Sequence, residues 1–159
     1  MASFLRTIEF LALSLWLGSD VFLSFVVAPG AFQVLPSRDA AGTVVGYSLT
    51  RMHLGGIALG LILLVTRCIR TGKSSALFAA SAVCVLLMVA LTAISQFTVS
   101  ARMAALRVQM GSIQATAAGN PVLEQFGRLH LVSVLLESGV LLAGFAAMFL
   151  MVRELGSPR

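Results

Sequence analysis

The sequence predicts an all-α integral membrane protein, a four-helix bundle of four spans whose third helix extends beyond the membrane. Of the 159 residues, 58% are hydrophobic and only 11% are charged, whereas a soluble domain carries about 25% charged residues. Four apolar runs are long enough to cross the hydrocarbon core, which takes about 20 helical residues. The runs leave no room for a soluble domain, so we expect one transmembrane domain over residues 1–159.

Each predicted span is bounded by residues typical of helix ends. Pro29-Gly30 closes the first run, and residues 31–35 of the next connector could form a short interfacial helix. The third run becomes amphipathic over residues 100–114, which predicts that this helix leaves the membrane. Asn120 before Pro121 fits an N-cap followed by proline at the first helical position. The predicted spans cover approximately residues 4–28, 43–69, 75–99 and 121–152.

The basic residues are distributed as in a membrane protein. The formal charge is +5, but Arg and Lys occur mostly singly at the ends of apolar runs, as membrane anchoring predicts. We therefore expect a lipid bilayer and no nucleic acid as partner, because nucleic-acid binding needs a basic patch on a folded face. Four spans place both termini on one side of the membrane. Arg6, residues 67–73 and Arg153 on that side favour cytoplasmic termini.

The cysteines and the N-terminal run carry no processing or metal signal. Cys68 and Cys84 lack the spacing of a paired motif, so we interpret them as small buried apolar side chains. The first apolar run is too long for the core of a signal peptide and contains Asp20. We therefore predict a first span that is retained.

Two carboxylates fall at the same depth in the predicted bundle. Asp20 lies eight residues before Ala28, and Glu137 lies eight residues beyond Leu129, which is about 12 Å along each helix. No Lys or Arg occurs at that depth in any span. Two ionised carboxylates would repel each other in this medium of low dielectric constant, so one is protonated or the two share a cation. Asp20 and Glu137 are therefore the predicted binding pair.

A second polar set is predicted between this pair and the membrane face opposite the termini. His130, Ser133 and Glu137 share one face of the fourth helix, because they are spaced by three and four residues. Each member has a structural alternative: His130 can bond a neighbouring helix, His53 can lie at the interface, and Asp20 can pair with an arginine. The vestibule and ligand candidates are His53, His130, Ser133, Gln96, Arg51 and Arg102.

The spacing of residues also predicts which faces point inward. Glu9, Trp16 and Asp20 fall on one face of the first helix, with Glu9 near enough to the terminal side to reach interfacial water. Gly56 and Gly60 on the second helix allow a neighbouring helix to approach closely.

Two kinds of metal chemistry are open. His130, His53 and Glu137, with Met52 or Met103, form a mixed donor set that suits copper or zinc. Alternatively, His53 and His130 on facing helices could ligate haem b. The sequence contains no Ser-His-Asp array, nucleotide-binding loop or zinc-protease motif, which favours a role other than catalysis.

Two motifs carry a family resemblance that covers the chain. Leu15-Trp16-Leu17-Gly18, followed by Val26-Val27-Ala28-Pro29, and Phe126-x-x-Leu129-His130-x-x-Ser133 resemble the transmembrane-protein-205-like family, whose bacterial members carry a domain of unknown function. The resemblance implies a compact four-helix protein of a bacterial inner membrane. Its eukaryotic members are associated with platinum-drug resistance and trafficking, a loose indication of metal handling.

The Trp-x-Gly element is also similar to a helix of the copper-resistance D family and of the membrane protoporphyrinogen oxidase that binds haem. In those proteins a histidine commonly stands seven residues before the Trp, where this chain has Glu9.

Three functional hypotheses follow. The first is a small transport protein that handles a cation or metal through Asp20, Glu137, His53 and His130. The second is an accessory or structural subunit of a larger membrane complex, and the glycine faces also suit a homo-oligomer. The third is a redox protein that binds haem b.

Overall fold

A computed structural model describes residues 1–156 and confirms the all-α class. No strand occurs within this range, and four helices are long and apolar enough to cross a membrane. They are α1 (Ala2–Val34), α2 (Arg38–Thr71), α3 (Ala80–Met110) and α4 (Pro121–Gly156). A short 3₁₀-helix (Ser74–Phe78) connects α2 to α3.

The helices form a bundle in which each packs against its neighbours in chain order. The most extensive contacts join α1 to α2 and α3 to α4, and α2 also packs against α3. The α1–α4 seam closes the bundle and is the sparsest of the four. Backbone contacts are absent between the diagonal pairs, α1 with α3 and α2 with α4, over the described range. Long side chains alone therefore connect helices across the centre.

The first helix continues past Pro29, where the sequence predicted that it ends. It runs as Ala2–Phe22, a π-helical turn at Leu23–Val27, and Ala28–Val34. Proline lacks the N–H that an α-helix needs at an interior position. The π-turn directly before Pro29 shifts the hydrogen-bond pattern by one residue, so the helix passes the proline without ending.

The ends of α2 and α4 are fixed by identifiable caps. Ser37 accepts a hydrogen bond from the Ala40 N–H at 3.1 Å, and Gly72 ends α2 with a positive φ of 65°. Asn120 Oδ1 accepts a hydrogen bond from the Val122 N–H at 2.9 Å, which confirms the predicted N-cap. These caps supply partners for backbone groups that the helix ends leave free.

Loop residues 112–114 are attached to the start of α2 by one carboxylate. Asp39 accepts hydrogen bonds from the Ser112 hydroxyl at 2.6 Å and from the Ile113 N–H at 2.8 Å. The contact joins the end of α3 to the beginning of α2 on the side opposite the termini. It fixes the α3–α4 connection to the bundle.

The core of the bundle is organised around Trp16. Its side chain is 1% exposed and lies against the two glycines of α2 that the sequence singled out. A Cβ on Gly56 would lie 2.3 Å from Trp16 Nε1, and one on Gly60 would lie 2.7 Å from Trp16 Cζ3. The glycines therefore accommodate an indole ring that a larger residue would displace. Glu9, Trp16 and Asp20 are all buried, so the predicted inward face of α1 is confirmed.

The outer surface of the bundle is apolar around its full circumference. Many large hydrophobic side chains are exposed, a pattern that a soluble monomer avoids and a lipid environment favours. They include Phe22, Phe25, Phe97, Leu142, Phe145 and Phe149. Together with the four spans, this surface identifies an integral membrane protein in contact with lipid.

The glycine–tryptophan contact predicts a difference between two adjacent glycines. Gly56→Ala forces the Trp16 ring to move, and we expect it to destabilise the bundle by about 1–3 kcal/mol. Gly55→Ala is the matched control, because a Cβ there meets nothing within 4 Å and alanine favours the helix. Thermal unfolding in detergent checks both variants, and equal melting temperatures would refute the packing argument.

Candidate functional site

One polar side chain from each helix meets at the centre of the bundle. Asp20, His53, Gln96 and Glu137, called here the central tetrad, come from α1, α2, α3 and α4 respectively, each close to the midpoint of its helix. His53 is fully buried. Its Nδ1 lies 3.0 Å from Gln96 Oε1, and its Nε2 lies 3.0 Å from Glu137 Oε2. The second contact links α2 to α4, which have no backbone contact.

Asp20 completes the tetrad from the side of α1. Its carboxyl group is fully buried and interacts with the carboxyl group of Glu137. The Ser24 hydroxyl donates a long hydrogen bond of 3.4 Å to Asp20 Oδ1. Asp20 and Glu137 form no ion pair with an arginine or lysine of residues 1–156. The tetrad thus runs in the order Gln96, His53, Glu137, Asp20.

The hydrogen bonds of His53 restrict where protons can reside. Gln96 Oε1 can only accept, so Nδ1 carries a proton in this arrangement. Nε2 then either donates to a Glu137 carboxylate or accepts the proton of a neutral Glu137. The charged pair and the neutral pair are both compatible with the 3.0 Å separation of His53 Nε2 and Glu137 Oε2. A proton can therefore move between His53 and Glu137 without rearrangement of the helices.

Several buried polar atoms near the tetrad have no protein partner in the described range. They are Trp16 Nε1, Asp20 Oδ2, Thr92 Oγ1 and Ser95 Oγ. Trp16 lies one turn before Asp20, and Thr92 and Ser95 lie within one turn of Gln96. An unsatisfied buried polar group costs about 1–3 kcal/mol. This level of the bundle therefore has hydrogen-bonding capacity beyond what its own side chains use.

Both helices that carry π-turns carry them beside the tetrad. The turn at Leu23–Val27 follows Asp20 by three residues and contains Ser24, and the turn at Ser95–Ser100 contains Gln96. Such turns occur frequently at functional sites, because the altered hydrogen-bond pattern re-aims side chains. The two π-turns lie in α1 and α3, which face each other diagonally across the bundle.

The structure assembles only part of the set that the sequence proposed. Asp20 and Glu137 meet, and His53 lies at the centre and not at the interface. Ser133 is buried on the inward face of α4, one turn from Glu137. His130 is exposed, although it is nearly aligned with Glu137 along the helix, because the neighbouring helices do not cover it at that level. The two predicted arginines, Arg51 and Arg102, are also exposed, and neither pairs with Asp20.

The donor sets proposed for a metal or haem are not brought together. Residues 1–156 contain no group of three or more His, Cys, Asp or Glu side chains that could hold a metal ion. His130 lies outside the tetrad, so it does not join His53 and Glu137 as a ligand. Both ring nitrogens of His53 are engaged, and the two histidines do not face each other as bis-histidine haem ligation requires.

A second polar cluster, which the sequence did not reveal, lies at the end of the bundle that carries the termini. Arg70 donates to both carboxylate oxygens of Glu9, at 2.6 and 3.0 Å, and Arg67 donates to Glu154 at 2.8 Å. The Ser81 hydroxyl also donates to Glu154. These five residues, called here the terminal layer, again come from all four helices. Their signal in the sequence was two arginines near the end of α2, with one glutamate each in α1 and α4 toward the same side.

An apolar layer separates the terminal layer from the central tetrad. Each helix contributes a side chain that is at most 1% exposed: Leu13, Leu63, Met88 and Ala147. Glu9 itself is 1% exposed, so the predicted access of its carboxylate to interfacial water is wrong. The tetrad is therefore closed toward the terminal side in this conformation.

The terminal layer predicts an asymmetry between single and double substitutions. Glu9→Gln leaves the Arg70 guanidinium partly buried without its counter-charge, which we expect to cost about 3 kcal/mol. Glu9→Gln with Arg70→Met removes both charges and is expected to recover much of that loss. Glu124→Gln, an exposed carboxylate, is the matched control. Chemical unfolding in detergent measures all three, and a double variant no more stable than Glu9→Gln alone would contradict the pairing.

Comparison with known proteins gives one family. No curated protein and no solved structure matches the chain. The model of a family described as a domain of unknown function, DUF4149, matches residues 11–112. This range includes three members of the central tetrad, Asp20, His53 and Gln96, and ends before α4. The matched residues are well over half of the chain, which therefore belongs to the DUF4149 family.

Proposed function

We propose that this membrane protein transports a small cation, with the proton as the favoured species, through the central tetrad. The observation that carries the proposal is the contact of Asp20 with Glu137 beside His53, at mid-bundle and without an arginine or lysine. Ionisable side chains are costly inside a membrane and typically mark proton or ion pathways. The bound cation supplies the positive charge that the side chains of this site lack.

The proposed species follows from the chemistry of the donors. Apart from His53, the tetrad and the unpartnered atoms beside it offer mostly oxygen: carboxylates, an amide carbonyl and the hydroxyls of Thr92 and Ser95. Oxygen ligands suit protons and hard cations, whereas copper and zinc favour nitrogen and sulfur. The donor set thus supports proton or monovalent cation handling better than transition-metal handling.

Transport through this site requires the bundle to open on alternate sides. The apolar layer and the terminal layer close the tetrad toward the termini. Opening that side would separate Glu9 from Arg70 and Arg67 from Glu154 while the tetrad exchanges its cation. We place the termini in the cytoplasm of a bacterial cell, in line with the positive-inside rule and the transmembrane-protein-205-like motifs.

Removal of either carboxylate is the first test. We expect Glu137→Gln and Asp20→Asn to reduce proton flux into potassium-loaded liposomes at least about tenfold, because a neutral amide cannot carry the proton. An entrapped pH-sensitive dye measures the flux after valinomycin sets the potential. Glu124→Gln lies on the same helix outside the tetrad and should behave as wild type. Wild-type flux in both tetrad variants would refute the role of the site, and a folded wild type without flux would favour an accessory subunit.

The two histidines provide a second test. His53→Gln keeps hydrogen-bonding groups at the centre but removes the imidazole that can accept and donate a proton. We expect it to lose flux at every pH tested, whereas the exposed His130→Gln should keep wild-type flux. The same dye assay from pH 5.5 to 8 distinguishes the variants. Equal loss of flux in the two variants would contradict the assignment of proton transfer to His53 alone.

A further inference from the structure

We propose that the α1–α4 seam at the terminal side binds an anionic phospholipid. A groove of about 400 Å³ opens there along the first turns of α1, within the range typical of ligand pockets. It lies along the sparsest seam of the bundle. Its walls include Ser3, Arg6, Thr7, Phe10, Leu11 and Leu155. The proposal is independent of cation transport, since the central tetrad takes no part in it.

The polar end of the groove carries an unused positive charge. Arg6 is only half-buried and forms no ion pair within residues 1–156. Both nearby carboxylates are already engaged, Glu9 by Arg70 and Glu154 by Arg67. A guanidinium offers several N–H donors in the geometry that phosphate oxygens accept. The chemistry of this end therefore fits a phosphate group.

Charge balance favours an anion over a cation. The terminal layer pairs two arginines with two glutamates, so Arg6 adds a net positive charge at its edge. A small cavity of about 10 Å³ joins Arg6 to Glu9, Arg70 and Glu154, which places the groove directly beside the layer. A cation would meet Arg6 and Arg70 together. Basic pockets between transmembrane helices are a recognised form of site for anionic headgroups.

The other end of the groove distinguishes a lipid from a free phosphate. Phe10 and Leu11 continue the groove from Arg6 toward the membrane interior, Leu155 of α4 forms part of the wall near Arg6, and Ser14 lies at the deep end. An acyl chain lying along this surface would bury apolar area that inorganic phosphate leaves uncovered. The position of Arg6 near the start of α1 matches the depth of a headgroup. A phospholipid would place its phosphate at Arg6 and its acyl chain along the apolar part of the groove.

Native mass spectrometry of the full chain in detergent tests the proposal. Phosphatidylglycerol, phosphatidylcholine and inorganic phosphate are added separately. We expect one phosphatidylglycerol to be retained by wild type, with about tenfold weaker binding in Arg6→Gln, as expected for loss of a charge-assisted contact. Lys73→Gln is the matched control, an exposed cation on the same side but outside the groove. It should bind as wild type does.

A second variant keeps the test valid if Arg6→Gln misfolds. Ser14→Trp fills the deep end of the groove from an exposed position without a change of charge, and should also weaken phosphatidylglycerol binding. Equal retention of the two phospholipids, or unchanged binding in both folded variants, would overturn the proposal. Binding of inorganic phosphate as strong as that of phosphatidylglycerol would assign the site to a free anion and overturn the lipid.

Discussion

The desolvation of four polar side chains at the centre of an apolar bundle is the constraint on which the rest of the structure depends. At mid-membrane depth Asp20, His53, Gln96 and Glu137 are stabilised by polar partners, and the partners that they have lie mostly on other helices. The His53 contacts meet this demand for three helices, and the Asp20–Glu137 contact adds the fourth. The requirement fixes both the rotation and the axial position of every helix.

Hydrophobic packing alone could not impose this arrangement in lipid. Lipid chains are as apolar as leucine, so association depends on close packing and on polar contacts between helices. Gly56 and Gly60 provide the close packing by making space for Trp16. The indole ring lies one turn from Asp20, so the packing of α1 on α2 and the position of the carboxyl group are coupled. Displacement of Trp16 would disturb the site and the core together.

The two polar layers have different physical characters. In the terminal layer every carboxylate faces an arginine, and the charges balance. In the central tetrad two carboxyl groups face one imidazole. Within residues 1–156, buried polar atoms without a protein partner occur in both layers, including Arg67 Nε in the terminal layer. A layer in which positive and negative side chains are paired can hold the helices together and close this end of the bundle. The excess of acidic groups in the central tetrad suits the binding of a cation, which is why the proposed site is the tetrad and not the ion pairs of the terminal layer.

The sequence by itself determined the four spans, the inward face of Glu9, Trp16 and Asp20, and the shared depth of Asp20 and Glu137, because hydropathy and helical periodicity are local properties. It did not decide whether His53 lies at the interface or inside the bundle, and α2 covers Arg38–Thr71, which puts this residue mid-helix. Only the tertiary structure left His130 uncovered by its neighbours, brought Gln96 to His53 and paired Arg70 with Glu9. Those outcomes depend on how far each helix rotates and slides against its neighbours, and no single helix encodes that choice.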